Sequence, residues 1–282
     1  MVAAGCGGGR LRRASLVDQE PPGRTPRIFA PGVVSKGNIH GRIAVSPDGR
    51  SILWNTYDSA SGSTRILWTR KFGRRWTDPE SPPFAAGLNA ASPMFSPDGG
   101  KLFFMVATSK GWATKYVEMT PAGWSAPRED GVLLDCSSSF TRSGRAFFSA
   151  PMDGKVWGTG IYSARHSAEG LSDPRPLDGS INVPNAIDYT PFVSPDGSFL
   201  LFSSNRPLTG DGEDMHIYVT FDLGGGKWSA PRRLFEIQAR FPSISPDGRV
   251  IFFCGDDGNV YWVDARVVES FRPDSEGRRA GR

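Results

Sequence analysis

Cysteine is scarce. The 282 residues hold three, Cys6, Cys136 and Cys254. No two have metal-ligand spacing, and three is a poor number for a disulfide framework. Cys136 and Cys254 lie in apolar, strand-like runs and read as small buried hydrophobes. Histidine is equally scarce. His40, His166 and His216 are far apart and form no metal pair on a helix; His166 and His216 read as surface residues. The Gly-x-Ser-x-Gly elbow of an embedded serine hydrolase is missing. No run approaches the roughly 18 apolar residues of a membrane span. The glycines of 5–9 precede no helix and cradle no phosphate. No cofactor is expected.

A basic groove is also missing. The net charge is +4, but the two ends supply it. Residues 1–27 hold five arginines against two acids, and residues 265–282 hold five against three, which leaves the body at −1. A basic isoelectric point made by two tails does not mark a nucleic-acid surface, so no nucleic-acid partner is expected.

Turn residues are plentiful instead. Gly 34 and Pro 23 together make a fifth of the chain, which argues against a helical protein. At 38% hydrophobic residues there is material for a sizeable core. The length suits one large domain or two small ones.

The dominant signal is a repeat. Ser46-Pro47-Asp48-Gly49 recurs as Ser96-Pro97-Asp98-Gly99, Ser194-Pro195-Asp196-Gly197 and Ser245-Pro246-Asp247-Gly248. A worn copy, Thr141-Arg142-Ser143-Gly144, lies between the second and third, and the successive spacings are 50, 45, 53 and 51 residues. Proline presets φ, aspartate accepts a local backbone bond, and glycine takes the left-handed conformation, so each copy predicts a tight turn between antiparallel strands. A continuous apolar run follows each turn: Ile52-Leu53-Trp54, Leu102-Phe103-Phe104, Ala146-Phe147-Phe148, Leu200-Leu201-Phe202 and Ile251-Phe252-Phe253. Such runs predict strands covered on both faces. A third strand carries an aromatic near its centre, as in Ile217-Tyr218-Val219. A fourth carries Trp-x-x-Pro, at Trp76 to Pro79, Trp124 to Pro127 and Trp228 to Pro231, with Leu171 to Pro174 as the worn copy. Proline suits an outer edge. Each period is therefore one four-stranded blade of a β-propeller.

The fifth unit lacks its outer element, and Ile28-Phe29-Ala30-Pro31 at the other end supplies a candidate. The expected fold is all-β: a five-bladed β-propeller, four antiparallel strands per blade, closed by an N-terminal strand. The blades span about 38–84, 88–132, 133–178, 183–236, and 237–264 with 26–31. Six blades would require cryptic strands in the charged tail. The domain reading is a flexible segment 1–25, a propeller 26–264 and a C-terminal tail 265–282 that is helical or disordered.

The Ser-Pro-Asp-Gly turns, the run Phe202-Ser203-Ser204-Asn205-Arg206, Ile217-Tyr218-Val219 and Trp-x-x-Pro together resemble the WD40-like β-propeller repeat family, whose TolB-type repeats occur in a periplasmic protein. The resemblance covers about residues 26–264. It implies the fold and a TolB-like role in binding a protein or glycan at the cell envelope; such repeats also occur in scaffolds and in gates over peptidase sites. At the N-terminus, Val2-Ala3-Ala4-Gly5-Cys6-Gly7-Gly8-Gly9 resembles the end of a bacterial lipoprotein signal, which would make Cys6 a lipidation site and give a lipid anchor without a membrane span. The charged and apolar regions of such a signal do not precede it, so a truncated signal and a chance match both stand.

Turn chemistry repeats on one face of such a disc and the opposite face varies, so a binding site is expected on the varying face. The residues six positions before each turn Ser or Thr are His40, Ala90, Asp135, Asp188 and Ala239. His40, Asp135 and Asp188, with Arg42, Tyr189 and Arg240 beside them, form the candidate channel mouth; aspartates before strands also cap local turns. The longest loop on this face adds Asn205 and Arg206. Its Asp211, Glu213 and Asp214 offer oxygen ligands to calcium, although their spacing is not that of an EF-hand and solvated turns have the same composition, so no metal is assigned. Three readings remain, of which one is a purely structural module of a larger assembly with no ligand in the channel; the other two carry a function at the mouth. One is a non-catalytic, monomeric module binding a protein or glycan at the cell envelope. The other is a glycoside hydrolase, with Asp135 and Asp188 as the carboxylate pair.

Overall fold

A computed structural model describes residues 19–39, 41–73, 75–96, 98–120, 123–129, 138–153, 159–167, 170–206 and 214–273. The order of elements is a meander repeated around an axis. The short strand β1 (Arg27–Ile28) comes first. Blade one holds β2 (Ala44–Val45), β3 (Ser51–Asp58), β4 (Ser63–Phe72) and β5 (Arg75–Trp76). Blade two holds β6 (Ala90–Phe95), β7 (Lys101–Thr108), β8 (Gly111–Thr120), β9 (Gly123–Trp124) and β10 (Arg128–Glu129). Blade three holds β11 (Ser139–Phe140), β12 (Arg145–Pro151), β13 (Thr159–Ser167) and β14 (Gly170–Pro176). Blade four holds β15 (Asp188–Val193), β16 (Phe199–Ser204), β17 (His216–Gly224), β18 (Lys227–Trp228) and β19 (Arg232–Arg233). Blade five holds β20 (Ala239–Ile244), β21 (Val250–Gly255) and β22 (Val260–Asp264).

The five sheets are separate and antiparallel, and they form a five-bladed β-propeller. The fifth sheet runs β1-β22-β21-β20, so the N-terminal strand supplies its outer edge. Arg27 lies opposite Trp262 and Ile28 opposite Tyr261. Phe29, fully buried, wedges between Phe252 and Trp262, each at 5.1 Å between ring centroids. Hydrophobic burial at the seam therefore reinforces two residues of strand pairing.

The turns form by the chemistry their residues carry. Ser46 Oγ donates to Asp48 Oδ1 at 2.5 Å and accepts from the Ser51 amide at 2.8 Å, while Gly49 sits at φ +67°. Ser96 with Asp98, Ser194 with Asp196, and Ser245 with Asp247 repeat the first bond. The hydrogen bond from Ser96 holds the Asp98 carboxyl below the usual range. The worn copy keeps the geometry with other atoms: Thr141 Oγ1 bonds Ser143 Oγ at 2.9 Å and accepts from the Arg145 amide at 3.0 Å.

In blades two and four the outer strand is broken between its Trp and the residues after its Pro. Proline offers no ladder donor, so β9 and β10, and likewise β18 and β19, pair separately with the third strand. The continuous apolar runs pack between blades. Phe104 of blade two joins Leu53 and Trp68 of blade one, and Leu201 of blade four joins Phe253 of blade five. After β22 a 3-10 segment, Ala265–Phe271, lays Ala265 and Val268 onto that last cluster. His216 corrects an expectation of exposure: it is 8% exposed, because it begins β17 under the blade-five entry, where its Nδ1 lies 3.2 Å from the Ile237 carbonyl.

Candidate functional site

The inner strands set the geometry of the axis. In three of them the residue four positions before the turn serine has a left-handed backbone and precedes a proline: Ser92 (φ +54°), Thr190 (+51°) and Phe241 (+58°). The pairing slips at these points, as a β-bulge does. Each bulge amide is satisfied from the preceding blade. Ser92 donates to Asn55 Oδ1 at 3.2 Å, Thr190 to Ser149 Oγ at 3.1 Å and Phe241 to Ser203 Oγ at 3.2 Å. These side chains hold neighbouring blades in one angular relation.

Arg42 crosses this ring. It is 2% exposed, and its guanidinium donates to the carbonyls of Ser138 in blade three at 2.9 Å and Pro191 in blade four at 2.8 Å. The same guanidinium lies 5.3 Å from the centre of the Phe192 ring. Ser139 Oγ donates to the Pro191 carbonyl and accepts from the Val193 amide. The axis is thus filled here by the protein's own polar groups.

Beyond Arg42, toward the repeated turns, a cavity of about 90 Å³ opens on the axis. Every blade contributes to it. Met94, Phe140, Phe192 and Ile244 line its wall. Pro47, Pro195 and Pro246 of the turns line its rim, and in the third turn Arg142 takes the place of the proline. The Arg142 amide is itself used, donating to the Pro195 carbonyl at 2.9 Å. A proline here would lose that bond. The wall residues went unread in the sequence because they look like ordinary strand. The signal that marks the site is the one turn copy that replaces Pro-Asp with Arg-Ser.

The residues expected at the opposite mouth are placed as follows. His40, Asp135, Asp211, Glu213 and the lipidation candidate Cys6 lie outside the described residues. Asp188 and Arg206 come together, as an internal clasp. Asp188 is fully buried, and its Oδ1 accepts from Ser204 Oγ at 2.8 Å and from the Arg206 guanidinium. Arg206 also donates to the carbonyls of Ser180 and Ile181 and stacks on Phe202 and Tyr218. The Tyr218 hydroxyl donates to the Arg206 carbonyl, and burial raises its pKa against the pull of Arg233 and Arg206. Asn205 is 5% exposed and accepts from the Ile187 amide. Tyr189 meets Phe241 edge to face at 6.1 Å. Arg240 lies 3.9 Å from Asp256, and Asp214 accepts from Gln238. Among the described residues no three His, Cys, Asp or Glu gather as metal ligands would, and no helix is long and apolar enough to cross a membrane.

By these features the chain is a five-bladed propeller with a polar cross-brace and a small cup of mixed polar and apolar lining on the turn face. No protein-family model and no curated protein matches it. Solved structures do. An endo-arabinase from Bacteroides thetaiotaomicron matches at TM-score 0.53 and 15% identity, over 81% of this chain and 95% of that one. A TolB-type protein from Agrobacterium tumefaciens matches at TM-score 0.50 and 20% identity, over 78% and 71%. TolB from Acinetobacter baumannii matches at TM-score 0.49 and 15% identity over 78% of this chain; the chain spans 53% of that protein's length. At these identities the likeness is one of fold.

Proposed function

We propose that this chain is a non-catalytic binding propeller of the cell envelope that engages a protein partner at the axial cup on its turn face. The observation that carries the reading is the cup itself: a concavity of mixed polar and apolar lining, open to solvent, to which all five blades contribute. Concave apolar sites with a few polar groups are where ligands lodge. The TolB-type resemblance supports the envelope setting, and lipidation at Cys6 belongs to the same reading. A glycan at the opposite mouth, beside the half-buried Tyr189 and Arg240, is the variant of this proposal.

The hydrolase reading has the endo-arabinase likeness behind it. It needs an acid and a base facing each other on the axis. Asp188 is committed to Ser204 and Arg206, which argues for the binding role.

The test is site-specific photocrosslinking in an envelope fraction, with benzoylphenylalanine at Met94 in the cup or at Tyr189 on the other face. A discrete protein adduct at position 94 that is missing at 189 supports the cup. Adducts at 189 alone overturn it, and release of reducing sugar from an arabinan by the purified chain overturns the non-catalytic reading.

A further inference from the structure

Resting on that binding role, we infer that the cup receives the carboxyl terminus of a partner polypeptide ending in a small aliphatic residue, with Arg142 holding the carboxylate. Three observations converge.

The first is size. A cavity of about 90 Å³ is smaller than the roughly 150 Å³ that receives a benzene ring, which suits a side chain such as valine.

The second is charge. Among the described lining residues the only ionisable ones are Arg42 and Arg142, both cations. Arg42 is buried, and its two terminal nitrogens donate to the carbonyls of Ser138 and Pro191. Arg142 is exposed at the rim. Its neighbour deepens the asymmetry: Ser143 stands where the other four turns carry Asp48, Asp98, Asp196 and Asp247. The third turn is the place on this rim where cationic charge has no acid of its own turn beside it.

The third is chemistry. A guanidinium binds a carboxylate through paired, charge-assisted bonds, and capture of a C-terminal carboxylate is a general mode of peptide recognition. Free carboxylic acids share this chemistry. A polypeptide terminus fits this rim because Pro47, Pro195 and Pro246 ring the cup and offer apolar surface to the residues that precede the terminus.

The experiment uses the full chain and the probe peptide Gly-Ser-Gly-Ser-Val, as free acid and as C-terminal amide, with butyrate as the small-acid arm, each titrated by calorimetry. The acid peptide should bind at least about tenfold tighter than the amide, the size of one charge-assisted bond, and tighter than butyrate. Arg142→Met should erase the difference between acid and amide, and Arg142→Lys should retain part of it; both keep the backbone amide that Pro195 accepts. Equal binding of acid and amide overturns the carboxylate. Butyrate binding as tightly as the peptide overturns the polypeptide source. Failure of both peptides, alongside a crosslinked partner at position 94, overturns this inference and leaves the binding role intact.

Discussion

Arg42 of the first blade donates to the carbonyl of Pro191 in the fourth, 149 residues away, at 2.8 Å. This bond ties opposite parts of the ring through its centre. Arg42→Met would keep the stem and leave the buried carbonyl of Ser138 without this donor. A loss of about 2–4 kcal/mol is expected, with partial recovery in Arg42→Lys. Urea denaturation checks it, and an unchanged midpoint in Arg42→Met would show that the brace carries no stability.

Closure at the seam should dominate the stability of the whole disc. Phe29→Ala removes a fully buried ring packed on Phe252 and Trp262, at a cost of about 3–5 kcal/mol. Deleting residues 20–34 should abolish the cooperative transition altogether. A deletion variant that melts like the parent in calorimetry would refute the role given to β1.

The clasp between Asp188 and Arg206 predicts coupling. Asp188→Asn and Arg206→Gln should each destabilise, and the pair together by less than the sum, with an interaction of about 1–3 kcal/mol in a double-mutant cycle. Neither change should affect crosslinking from position 94, because both lie away from the cup. Additive effects would mean the two side chains stabilise the loop independently.

Cys254 should be inert in the folded protein. Burial pushes its thiol up to about 12 from an ordinary 9.0. Below the lower value the thiol is protonated in both states and stability does not depend on it. As pH rises from there, the unfolded chain releases a proton that the folded chain keeps, so folding is weakened progressively toward the higher value. In a Cys6→Ser/Cys136→Ser background, a thiol reagent at pH 8 should label this chain only after denaturant is added. Rapid native labelling would contradict the burial.

The blades were legible in the sequence because their chemistry is local. Ser46, Asp48 and Gly49 bond within a few residues of one another, so the tetrapeptide announces its turn wherever it occurs. The closing strand was legible through Ile28 and Phe29, since one unit lacked an outer element. The bulges were not. Ser92, Thr190 and Phe241 share no residue type, and each depends on a partner 37, 41 or 38 residues away. The cup went unread for the same reason: Met94, Phe140 and Ile244 meet only after the ring closes. Asp188 is legible as a polar residue at a strand entry, while its commitment to Arg206, 18 residues on, depends on the pairing of β15 with β16.

The pairing of β1 with β22, and the bond from the Asp264 amide to the Gly23 carbonyl, bring the two ends of the described chain to one point on the circumference. A tether or fused module joined at either end would therefore leave the disc from the same side, like a medal on its ribbon.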